Sequence, residues 1–160
     1  MNGINEFTAK KLGEVVAFAR LGTETSKKGL AAFTSIMSAE EIKDMQDTND
    51  RHERSLFLMA EEFGVADIVE KKADVTTDKL RAMRDMYVKD QWDNSAEISE
   101  WSGFFEGAAI VHWALVEGAA EGGRHESLRI LAADAKAYHE NKLKMFESFL
   151  KTIGIAKTTL

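Results

Sequence analysis

The chain has 160 residues, 44% of them hydrophobic and 30% charged, with a formal net charge of -6, no proline and no cysteine. That balance belongs to one globular domain, residues 1–160, with enough length for a real core rather than to a disordered segment. The negative charge disfavours nucleic acid or an anionic membrane as the main partner, and the missing cysteines exclude disulfides, thiolate zinc sites and cysteine nucleophiles.

The first residues, MNGINEFTAKKLGEVV, lack the continuous apolar stretch of a secretory signal, and no run of about 18 apolar residues offers a membrane span. Both features fit a cytoplasmic protein. Proline breaks helix interiors, so a chain without it is free to run long helices. Strand-like alternation bounded by turn signals is also missing, and the expected class is all-α.

A first helix is expected over about 5–37, where Val15, Phe18, Gly22, Thr25, Gly29, Phe33 and Ile36 recur on one face at spacings of three and four. Its glycines at 13, 22 and 29 allow close helix approach and a local kink. Ser38 with Glu41 reads as a capping box that opens a second helix over about 39–63, stopped at Gly64. Its inward stripe is Met45, Asn49, His52, Leu56, Met59 and Phe63. Residues 64–94 read as a connection: a short apolar patch at 65–69, a solvated Glu70-Lys71-Lys72, then a shorter helix capped at Thr76-Thr77-Asp78 and running to about Val88. Asn94 with Glu97 reads as a second capping box, opening a helix over about 95–121 that Gly122-Gly123 would end. A last helix, about 125–153, carries Leu128, Ala132, Ala135, His139, Leu143, Phe146 and Leu150 on one face, with Gly154 as its stop and a frayed tail beyond.

Four long helices joined by a short turn, a long connection and another short turn make two antiparallel hairpins linked by a crossover. The expected architecture is an up-down-down-up four-helix bundle whose crossover carries a short extra helix. The alternative is a five-helix array in which residues 77–90 are a full member.

Polar groups on the inward faces are the functional candidates. Ser38 lies 14 residues from both Glu24 and His52, and Glu106 and His139 lie about 17 residues on either side of the Gly122-Gly123 turn. At a rise of about 1.5 Å per residue, each Glu/His pair falls at mid-bundle depth. One Glu and one His per hairpin, Glu24, His52, Glu106 and His139, is the pattern of a metal site inside a helical bundle. A lone buried carboxylate is costly unless paired. Lys136 offers Glu106 an ion pair without any metal, Glu24 can sit on a boundary facing Lys27 or Lys28, and each histidine can be a satisfied core residue. His112 is expected to pack against an aromatic or a partner, and His125 to be solvated. Trp92, Trp101, Trp113 and Phe104-Phe105 read as core packing, and the methionines as packing too.

In these positions, and in Tyr138-His139-Glu140, the chain resembles the ferritin-like superfamily, nearest to the rubrerythrin-like carboxylate-bridged diiron proteins. The resemblance implies the bundle fold, Glu24 and Glu106 as the single glutamates of helices one and three, and His52 and His139 as the histidines of two Glu-x-x-His motifs. It departs where the bridging glutamates should stand, at Asn49 and Lys136. What it implies is iron with oxygen or peroxide chemistry at an altered, mononuclear site, with manganese or zinc as other metals. Glu117, Glu53 and Glu140 are further ligand candidates. The alternative is a ferritin-like bundle without metal, acting as a binding or assembly module. A third reading seats an organic ligand among the aromatics. A homodimer is the prior for this architecture.

Overall fold

Asn5 accepts the Thr8 N–H at 2.8 Å and opens α1 (Glu6–Lys28), in a computed structural model that describes residues 3–159. Gly29 interrupts the helix, and α2 (Leu30–Ile36) continues from it, so the single expected helix is two. Ser38 and Glu41 form the reciprocal capping box, at 3.1 and 2.7 Å, that starts α3 (Ala39–Glu62). Gly64, at φ 71°, makes the turn that follows. Asn94 accepts from the Ala96 and Glu97 N–H groups at the head of α5 (Ser95–Gly123). All elements among the described residues are α-helices.

The largest departure from expectation is α4 (Ala66–Val88). It spans 23 residues and begins ten residues before the expected cap, which makes it a full member of the array. No side chain caps it at Val65, so its start carries no local signal. The second correction is at the far turn. Gly122 and Gly123 belong to α5, and Arg124 takes the left-handed position (φ 58°) that ends the helix. Gly123 leaves room there for the His125 ring, which a Cβ would approach to 2.7 Å. The last helix, α6 (Glu126–Thr158), runs through Gly154 without stopping.

The centre of the array is α1, whose Val15, Val16 and Ala17 are wholly enclosed. Contacts along it fix the direction of its neighbours. Arg20 meets Glu53, Thr23 meets Asp50 and Ser26 meets Gln46, so α3 runs antiparallel to α1. Glu14 meets Lys72, Arg20 meets Asp74 and Glu24 meets Arg84, so α4 runs parallel to it. The α1–α4 seam is tight at Gly13, where a Cβ would stand 2.6 Å from Lys72 Cβ and 2.7 Å from the Val69 carbonyl oxygen. Phe18 stacks on Phe105 and His112, which brings α5 against α1. The α5/α6 hairpin is antiparallel, with Glu117 paired to Lys136 and Glu106 to His139. It closes on α3 through the side chains His52–Tyr138 and Phe63–His125.

Trp113, Phe18, Phe146, Leu12 and Leu21 fill the core between these helices. Two sequence expectations change here. His125 is buried against Phe63 rather than solvated, and Phe104 is 64% exposed rather than packed. No helix is long and apolar enough to cross a membrane among the described residues.

Candidate functional site

The second hairpin brings its two candidates into contact. Glu106 projects from the buried side of α5 and His139 from that of α6, and the His139 Nδ1–H donates to Glu106 Oε2 at 2.5 Å. Both are nearly sealed, at 5% and 2% exposure, so water does not compete for the bond.

His52 reaches the same centre from α3. Its ring lies edge-on to Trp113 at 5.6 Å and to Tyr138 at 5.8 Å, and 6.2 Å from the His139 ring, all between centroids. Its Nδ1 is buried with no hydrogen-bond partner, and so is the Tyr138 hydroxyl. Burial, with the neighbouring His139 and Arg51 adding to it, pushes His52 down to about 4. The imidazole is therefore neutral at pH 7. Burial and then the Glu106 charge push the Tyr138 phenol up, which keeps its proton in place.

Asn49, one turn before His52, is buried against α1. Gly22 makes room for it, since a Cβ there would stand 2.7 Å from Asn49 Nδ2. Beside them lies a cavity of about 20 Å³, lined by Gly22, Thr25, Asn49, Ser102 and Glu106 among others, with room for a single water.

Glu24 is elsewhere. It lies on the α4 side of α1, where Arg84 Nη1 donates to its Oε2 at 2.5 Å and Arg81 Nε to both oxygens at 3.1 Å. Burial opposes ionisation, but the hydrogen bonds from Arg81 and Arg84 outweigh it and hold the carboxyl below its usual range. Arg84 is only 2% exposed and also donates to Thr25 and Asp85. Neither Lys27 nor Lys28 is the partner; Lys28 sits over the Trp92 ring. Lys136 likewise turns to Glu117 at 2.6 Å rather than to Glu106. The hydrogen bond it donates to Glu117 is the main reason the ammonium titrates above its usual range.

Of the four candidates, three converge and Glu24 does not. The level argument placed Glu24 at the right height but not on the right side: Gly22 and Thr25 are the α1 residues that face the centre. The converging set holds one carboxylate, which already accepts from His139, with Asn49 beside it and Lys136 drawn away. That donor set does not fit a carboxylate-bridged diiron centre, which needs several anionic oxygens to offset the metal charge. Among the described residues no group of three or more His, Asp or Glu is arranged to hold a metal ion. Glu53 is committed to Arg20, so it is no substitute ligand. No protein-family model, curated protein or solved structure matches the chain.

Proposed function

We propose that the chain is a ferritin-like up-down-down-up bundle in which side-chain pairs stand where a metal centre would be, and that it works as an assembly module. Helices α1, α3, α5 and α6 make the two hairpins, and α4 serves as the crossover that returns the chain to the other end. The observation that carries the reading is the sealed Glu106–His139 bond, which joins two would-be ligands to each other. The Arg81/Arg84 clamp on Glu24 supports it, because it ties up the one further glutamate that the resemblance calls for.

The rival reading is a mononuclear iron, manganese or zinc protein with redox activity, held by His52, Glu106 and His139. The unpartnered Nδ1 of His52 favours it. One experiment separates the two. Protein purified without chelator is analysed for Fe, Mn and Zn, then titrated with each ion and compared with a His52→Ala/His139→Ala variant. We expect less than about a tenth of an ion per chain and no metal-dependent gain in Tm, since an ion bound only by the folded state would raise it. Stoichiometric metal lost in the double variant would overturn the assembly reading in favour of the redox one.

A further inference from the structure

An open cleft of about 450 Å³ lies at the end of the array where α1 begins and α5 stops. One wall is the first turn of α1, with Asn5, Phe7 and Thr8; the other is the last turn of α5, with Gly122 and Gly123. His125, which opens α6, completes it. Helices α1 and α5 run antiparallel, with Phe18 against Phe105 and Glu14 toward His112, so opposite poles of two helices meet here. The leading N–H groups of a helix carry partial positive charge and its last carbonyls partial negative charge. On the α1 side, Asn5 Oδ1 caps only the Thr8 N–H, which leaves the N–H groups of Glu6 and Phe7 without an intrahelical partner. On the α5 side, the Ala120 and Glu121 carbonyls accept from His125 and Arg124, which leaves those of Gly122 and Gly123.

Two further groups on this cleft call for a ligand. Thr8 is 5% exposed and His125 9%, and both line it. Among the described residues neither the Thr8 hydroxyl nor the His125 ring has a hydrogen-bond partner, although a polar group taken out of water is costly unless it finds one. No Asp, Glu, Lys or Arg lines the cleft, and Glu6 and Glu126 face their own cations, Lys10 and Arg129. A ligand with a net charge would meet no counter-ion there, whereas one charged at both ends and neutral overall matches both walls. We propose that the cleft binds a free amino acid, its carboxylate against the first turn of α1 and the Thr8 hydroxyl, its ammonium against the Gly122 and Gly123 carbonyls. Phe7, 54% exposed, and the His125 ring give an apolar or aromatic side chain something to lie against. The cleft is separate from the Glu106–His139 centre, so this inference goes beyond the assembly reading and does not depend on it.

The test is a calorimetric titration of the full chain with L-phenylalanine and with two analogues that each lack one pole. Phenylpropionate has no ammonium and phenethylamine no carboxylate. We expect a Kd of about 0.1–1 mM for phenylalanine and binding at least about 10-fold weaker for either analogue. Gly122→Leu should abolish binding, because its side chain would enter the cleft, where nothing lies within 4 Å of the added Cβ. For the same reason its helical circular dichroism and Tm should stay close to those of the wild type. Thr8→Val, which removes the hydroxyl at nearly constant size, should weaken binding about 5- to 10-fold. No heat of binding up to about 10 mM phenylalanine overturns the proposal. So does an analogue that binds as well as phenylalanine, which would make the cleft a site for one charge only. Binding that survives Gly122→Leu in a folded variant places the ligand elsewhere, and Thr8→Val binding like the wild type removes the carboxylate from α1.

Discussion

The two hairpins start from the same materials, a glutamate on one arm and a histidine on the other at equal distances from the turn, and use them differently. In the second hairpin Glu106 and His139 face each other in the buried interior and bond directly. In the first, Glu24 is turned outward to Arg81 and Arg84, and His52 is left with an unpartnered nitrogen in the core. The difference comes from α4. A full-length helix laid parallel along α1 covers the flank that carries Glu24 and provides two guanidinium groups to hold it, whereas α5 and α6 have no such helix between them. Equal depth in a bundle is thus a weaker guide than the identity of the flanking helix.

The contrast predicts unequal responses to the same substitution. Glu106→Ala should cost about 3–5 kcal/mol in urea unfolding, because it strands a buried imidazole N–H. A Glu106→Leu/His139→Leu double variant should recover most of that loss, as apolar groups can replace a closed pair. A Glu106→Ala loss under about 1 kcal/mol would mean that the pair is not sealed.

Acid should then single out the first hairpin's histidine. The folded value for His52, about 4, lies below its ordinary 6.5, so the unfolded chain takes up the proton first. Its contribution to stability is whole above pH 6.5 and is lost as pH falls toward 4, to a total of about 3 kcal/mol. The measurement is urea stability against pH for wild type and His52→Leu. A variant curve as steep as the wild type between pH 6.5 and 4 would show that His52 does not drive the loss.

The hold of α4 on the first hairpin can be loosened at its seam. Gly13→Ala should cost about 1–3 kcal/mol, because the added methyl meets the Val69 carbonyl and Lys72 Cβ rather than a flexible side-chain end. Glu24→Ala, the counterpart of Glu106→Ala, should cost less, about 1–3 kcal/mol: it takes a partner from the buried Arg84, but Asp85 and Thr25 still accept from that guanidinium and Glu24 itself is 40% exposed. A Glu24 effect as large as that of Glu106 would erase the distinction between the hairpins.

Local signals in the sequence located much of the helical order, and long-range ones located less. The Ser38/Glu41 box, the Asn94 cap and the Gly64 turn each depend on residues within a few positions of one another, and each was readable. The full length of α4 was hidden because its start has no side-chain cap and its first turns are rich in charge. Those charges, Glu70 and Asp74, are there to meet Arg20 of α1, a partner some 50 residues away in sequence. The site divided in the same way. Hairpin symmetry brought Glu106 to His139, but it cannot tell which side of α1 faces the centre. A usable sign did exist: Arg84 stands among Ala73, Thr77, Leu80 and Val88, a charge in a buried stripe that demands an acidic partner. Glu24 is that partner.

Helix α1 touches α3, α4 and α5, and is enclosed only when all three are in place. On the ribosome it emerges before any of them. At about 5–20 residues per second, roughly 5–20 s of translation separate the end of α1 from the end of α5. For that interval its Leu12, Val15, Val16, Phe18 and Leu21 have no complete shelter, so the most enclosed helix of the finished fold is the one that waits longest for its cover.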